Sequence, residues 1–116
     1  MKGLTFQDDG RINDAIPLFE NAVELKPNET YPYVFLASAL SMKGRLGECE
    51  AILKQALDKE GDIDEVNYNL SLNYARRGNI DEAILRMQEC IRLDPKYPNA
   101  VTWLNDLINL KKELGE

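Results

Sequence analysis

Asp58, Glu60, Asp62 and Asp64 put four carboxylates on alternate residues, a spacing at which a short loop can wrap oxygens around a calcium ion. With Asp58 as first position, the sixth, where the sharp turn needs glycine, is Ile63. The twelfth, where a glutamate closes the coordination shell, is Asn69, so these acids are expected in a solvated connecting loop. Cys49 and Cys90 are the only thiols, too few and too far apart for a disulfide framework or a zinc knuckle. The sequence has no histidine, which removes the commonest general base, triad member and zinc ligand. No glycine-rich phosphate loop follows a strand pattern. No residue is therefore expected to be catalytic, and no cofactor or metal is expected.

The elements that would carry any site come from the chain's internal period. Gly10, Gly44 and Gly78 recur every 34 residues. In phase with them stand small residues (Ala15, Cys49, Ala83), then large apolar ones (Phe19, Leu53, Met87), then small ones again (Ala22, Ala56, Cys90). Pro27, Gly61 and Pro95 close each copy as helix breakers. Each period glycine is expected to end a helix with positive φ. The next helix is expected to start around Asn13, Gly47 and Asp81, two of them capping residues, with an acid following at Asp14, Glu48 and Glu82. Pro17 falls in the first turn on that reading, where its missing N–H costs nothing. Before the glycines, Tyr33, Leu36, Ala37 and Leu40, and then Asn67, Leu70, Ser71 and Tyr74, recur at the three-and-four spacing of a helix with one buried face. Residues 99–113 repeat that pattern once more, ending near Lys111 and Lys112, which suit the negative pole of a helix dipole.

The layout resembles the tetratricopeptide repeat, a 34-residue helix–turn–helix with the pattern W-x2-L-G-x2-Y, A-x3-F, P. Here it stands as Tyr33-x2-Leu36-Ala37-x2-Leu40, Cys49-x3-Leu53, Gly61, and again as Asn67-x2-Leu70-Ser71-x2-Tyr74, Ala83-x3-Met87, Pro95. A shortened first copy reads Gly3-x2-Phe6, Ala15-x3-Phe19, Pro27. Cys49, Gly61 and Asn67 depart from the pattern. The resemblance implies an all-α fold, a right-handed superhelix of about three helical hairpins plus a C-terminal capping helix. The expected division is a single domain over 1–116, with repeats at 1–29, 30–63 and 64–97 and the capping helix at 98–116. Cys49 and Cys90 fall on packing columns and are expected to be buried and unreactive.

The same resemblance implies a protein or peptide partner held on the concave side. Positions carried over from the family pattern are Tyr31, Val34, Phe35, Ser38 and Met42 in the second copy, and Glu65, Tyr68, Asn69, Leu72 and Arg76 in the third. The first copy adds Leu4 and Asp8; the last helix offers Thr102, Trp103 and Asp106. This set is mixed but aromatic, suited to a segment with apolar anchors. Family members that clamp the acidic tails of heat-shock chaperones use asparagine and basic side chains; the matching places here are Leu4, Phe35, Glu65 and Asn69, so that role is not expected.

Composition narrows the rest. At 116 residues the chain fits one domain or a short stack of repeats, and with 44% hydrophobic residues it is expected to fold. A net charge of −6 would repel a phosphate backbone, so no nucleic-acid partner is expected. No apolar run is long enough for a membrane span, and the first residues lack a secretory signal, so a cytoplasmic protein without membrane insertion is expected. The shortened first copy points to a longer array or to self-association through an open N-terminal end. A regulatory or scaffold segment of a larger enzyme or secretion machine is the alternative role; an RNA-binding helical-hairpin repeat, with a similar outline, runs against the acid excess.

Overall fold

The computed structural model describes residues 2–115, with side chains from 11 to 115, so Leu4 and Asp8 of the expected site lie outside the described side chains. Among the described residues six helices follow one another: α1 Lys2–Leu25, α2 Thr30–Met42, α3 Leu46–Ala56, α4 Ile63–Arg76, α5 Ile80–Leu93 and α6 Ala100–Glu113. Among the described residues no strand forms, and Glu29 and Glu60 meet in one isolated bridge. The chain divides into two compact units, Met1–Gly61 and Asp62–Glu116.

In the first unit α2 packs against α1 and α3. The α2–α3 turn is built by Gly44, at φ +79°. Its N–H donates to Ser41 O at 2.9 Å and the following Arg45 N–H to Leu40 O at 2.9 Å, the paired bonds that close a helix around a left-handed residue. Thr30 N–H donates to Glu60 O and Glu60 N–H to Asn28 O, tying the loop after α1 to the loop after α3. Tyr33 Oη adds a 2.7 Å bond to Pro27 O. Leu53 and Ala56, on the large and small columns, are fully buried, and Cys49 nearly so.

In the second unit α5 packs between α4 and α6. Gly78, at φ +82°, repeats the Gly44 turn: its N–H reaches Ala75 O at 3.0 Å and that of Asn79 reaches Tyr74 O at 2.9 Å. Asn79 also caps α5, its side-chain oxygen accepting from Glu82 N–H. Ala83, Met87 and Cys90 are fully buried. Asn67, polar where the pattern is large and apolar, is buried and satisfied: its Nδ2 donates to Ile63 O at 3.0 Å and its Oδ1 accepts from Arg86 at 3.0 Å.

Three expectations need correction. Gly10 does not end a helix, because α1 runs unbroken from Lys2 to Leu25. A glycine inside a helix costs only about 1 kcal/mol, which a continuous helix tolerates. Pro17 consequently lies inside α1, not in a first turn. The second helices of the later hairpins start at Leu46 and Ile80, so the capping position is Arg45 or Asn79; the apolar residue after it already belongs to the first turn. Asp81 therefore lies within that turn.

Candidate peptide-binding faces

The helix α2 is buried over most of its circumference. Thr30, Pro32, Tyr33, Val34, Leu36, Ala37, Ala39 and Leu40 are inside. Exposure is confined to Tyr31, Phe35, Ser38 and Met42, a single stripe at spacings of four, three and four that keeps to one helical face. On a solvated helix such a stripe is ordinarily polar; here Tyr31 is 43%, Phe35 50% and Met42 66% exposed. Val34, expected on this face, is buried instead. It lies a quarter-turn from Phe35, within the wide arc of α2 given over to packing.

The stripe continues onto α1. Phe19 stacks towards Phe35 with ring centroids 5.7 Å apart, and Tyr31 meets Phe35 edge-on at 5.9 Å, so three rings stand in a row. Arg11, Ile12, Ala15 and Phe19 of α1 and Phe35, Ser38, Ala39 and Met42 of α2 enclose a cleft of about 240 Å³, apolar apart from Arg11 and Ser38. The cleft has a cause in the fold. Ala15, Phe19 and Ala22 occupy the columns that are buried at Cys49, Leu53 and Ala56 and at Ala83, Met87 and Cys90, yet all three are only half-buried. The unbroken course of α1 leaves that face without a helix folded back over it. Arg11, Ile12, Ala15 and Phe19 are not among the expected site residues; Ala15 and Phe19 stand on columns that are core in the later copies.

In the second unit the expected residues fall into two groups. At the start of α4, Glu65, Tyr68 and Asn69 are half-buried, and Asn69 Nδ2 donates to Glu65 O at 2.9 Å. The Tyr68 ring lies against Tyr97 with centroids 4.8 Å apart, tilted by 31°. Tyr97 comes from the segment between α5 and α6 and carries no periodic signal that could have announced it. Burial, together with nearby Asp62 and Asp64, pushes the Glu65 carboxyl above its ordinary value. Burial first, and then the Glu65 charge, pushes the Tyr97 hydroxyl to about 12.

At the other end of α4, Arg76 and Trp103, with Ala75, Asp106, Leu107 and Leu110, line a second cleft of about 240 Å³. Trp103 also packs: its Nε1 donates to Ser71 Oγ at 3.1 Å while its ring faces the cleft. Leu72 is half-buried between the two groups in sequence, and Thr102 is exposed. Cys49 and Cys90 are buried, and burial pushes the Cys90 thiol to about 11, away from nucleophilic chemistry. Among the described residues no group of acidic, cysteine or histidine side chains is arranged to hold a metal ion.

Hairpins turning on left-handed glycines and in-phase small and large columns define a helical-repeat protein. The tetratricopeptide repeat profile matches residues 6–72, and a second profile of the same description matches 64–97. The chain belongs to the tetratricopeptide repeat family. Among curated proteins it is 26% identical over 102 residues to human Protein O-mannosyl-transferase TMTC1, covering 88% of this chain and 12% of that protein. It is 31% identical over 78 residues to mouse Interferon-induced protein with tetratricopeptide repeats 3, covering 67% of this chain and 19% of that one. The chain thus spans less than a fifth of either relative.

Solved structures share the fold. The crystal structure of MamA superposes with a TM-score of 0.80 at 26% identity, over 95% of this chain and 64% of that one. The Yersinia enterocolitica type III secretion chaperone SycD, in complex with a peptide of the translocator YopD, gives 0.81 at 13% identity over 97% and 88% of the two chains. The second such repeat domain of human RPAP3, in complex with an HSP70 peptide, gives 0.76 at 20% over 91% and 88%.

Proposed function

We propose that this chain is a protein-interaction module that docks peptide or protein segments on the outward faces of α2 and α4. The observation that carries this reading is the α2 stripe. Tyr31, Phe35 and Met42 expose large apolar surface on one line, beside a cleft lined mainly by apolar side chains. Burying such side chains is worth about 1.5–3 kcal/mol each, which favours a partner that covers them. Structural neighbours solved with bound peptides support the same reading. The binding set is Tyr31, Phe35, Ser38 and Met42 with the α1 cleft residues, and Glu65, Tyr68, Asn69, Leu72, Arg76 and Trp103 in the second unit. We retain the repeat boundaries 1–29, 30–63, 64–97 and 98–116 as the units of the array.

A suitable partner segment presents bulky apolar anchors. The half-buried Ala15–Phe19–Ala22 face also suits self-association through the N-terminal end. The acid excess disfavours nucleic acid. No helix among the described residues is long and apolar enough to cross a membrane, and a cytoplasmic location without membrane insertion and without catalysis fits this role. The fraction of each curated relative that the chain covers favours the second reading, a regulatory or scaffold segment of a larger enzyme or assembly machine.

The test is partner capture by the immobilised chain, wild type against the double variant Phe35→Ala, Tyr68→Ala. Both side chains are partly exposed, so helicity by circular dichroism should be kept while capture falls. Undiminished capture by the double variant refutes the assignment.

A further inference from the structure

We propose that the α4 face of the second unit receives a cationic side chain, a lysine or arginine of a partner segment, seated beside Glu65 and against the Tyr68–Tyr97 ring pair. This rests on the reading that the face binds protein, and names the chemistry of one contact.

Three acids stand at the start of α4, and two have local explanations. Asp62 stands at the N-cap position, where its charge suits the positive end of the helix dipole although its side chain makes no cap hydrogen bond, and Asp64 Oδ1 accepts from Glu65 N–H at 2.9 Å. Glu65 differs. Its carboxylate is partly withdrawn from water, and among the described residues it forms neither a side-chain hydrogen bond nor an ion pair. A half-buried carboxylate beside two others, with no counter-charge of its own, is a standing electrostatic cost that an incoming cation relieves.

The rings supply the other half. Tyr68 and Tyr97 lie 4.8 Å apart, too close for a cation to enter between them, but Glu65 stands three residues before Tyr68 on α4, on the same side of the helix, so the carboxylate and an outer ring face are neighbours. A lysine or arginine stem can lie on a tyrosine face while its charged end reaches the carboxylate. The first unit already uses the ring half of this chemistry, with Lys59 Nζ 5.9 Å from the Tyr33 centroid. A metal ion fits less well, since no group of three or more acidic or thiol side chains is arranged to hold one among the described residues. A side chain that brings its own apolar stem matches both the rings and the charge, and the overall net charge of −6 draws such a segment in.

The test uses the full chain, labelled with nitrogen-15, and three acetylated, amidated pentapeptides alike except for a central lysine, norleucine or glutamate. The lysine peptide should shift the amides of Glu65, Tyr68 and Tyr97 and bind about fivefold tighter than the norleucine peptide, in keeping with one partly desolvated cation contact. The glutamate peptide should bind weakest. Glu65→Gln should bring the lysine-to-norleucine ratio to about one without altering the fold. Equal binding of lysine and norleucine, or a ratio untouched by Glu65→Gln, overturns the proposal. If the three peptides bind alike and Tyr68→Ala abolishes all of them, α4 docking stands and the cation site falls. If none shifts the α4 amides, both fall.

Discussion

The indole N–H of Trp103 donates to the hydroxyl of Ser71 at 3.1 Å, and that hydroxyl in turn donates to Ala83 O at 2.7 Å. One buried oxygen therefore links α4, α5 and α6. The small residue that lets two helices approach is also the acceptor for the last helix.

Ser71→Ala keeps the small volume but strands the indole N–H. Leaving one buried donor unsatisfied costs about 1–3 kcal/mol. The midpoint of thermal unfolding should fall by several degrees, since each kcal/mol is worth about 4–8 °C in a chain near this size. Trp103 is the only tryptophan, so its emission should change in the folded variant. Ser38→Ala, on the exposed stripe, should stay within about 0.5 kcal/mol of wild type. Equal melting of both variants would show that the Trp103–Ser71 bond contributes nothing.

Two glycines with positive φ should respond differently to alanine. Gly44, at φ +79°, has open space where a Cβ would go, so Gly44→Ala should cost only the left-handed backbone penalty of about 1–2 kcal/mol. Gly61, at φ +134°, would drive its Cβ into Thr30 Oγ1, so Gly61→Ala should cost clearly more. Adding Thr30→Ala should recover the steric part and leave the backbone part. Urea unfolding of the three variants gives the order directly.

How much of this was open to sequence reading depended on whether the signal repeated. Gly44 and Gly78 announced two turns because the same local bonds recur at both. Gly10 carries the same letter but makes no turn, because a helix interior tolerates one glycine at about 1 kcal/mol and α1 runs through it. The same cause hid the cleft: Phe19 has the column position of fully buried Leu53 and Met87 but lacks the covering helix. Val34 was misplaced because a family position fixes a direction, and α2 buries a wider arc than that direction assumes. Tyr97 went unseen because it belongs to a connecting segment, and its ring contact with Tyr68 exists only in three dimensions.

Both thiols should be silent in the native protein. Cys49 and Cys90 are buried, and the Cys90 thiol is raised to about 11, so almost no thiolate is present near pH 8. Reaction with an aromatic disulfide reagent should follow unfolding, with a rate that rises with urea in step with the loss of helicity. Rapid labelling of either thiol in buffer would contradict the packing assigned to these columns.

Glu65 sets a pH dependence opposite to that of a carboxylate held in an ion pair. Burial and the neighbouring Asp62 and Asp64 raise its folded-state value above the unfolded one, so the folded chain holds that proton more tightly. The stabilising contribution is complete below the unfolded value, near 4.5, and is lost as pH rises through the folded value. At neutral pH the ionised group is a small net cost, reduced by solvent because Glu65 is only partly buried. Glu65→Gln should therefore melt slightly higher than wild type at pH 7, with the gain shrinking as pH falls towards 4.5. Asp62, Asp64 and Tyr97 are the titratable groups that face it, and Asp64→Asn should reduce the effect by lowering the repulsion. Matched melting curves at pH 7 and pH 4.5 decide the matter. A Glu65→Gln protein less stable than wild type at pH 7 would mean that the carboxylate has a cationic partner within the chain and needs none from outside.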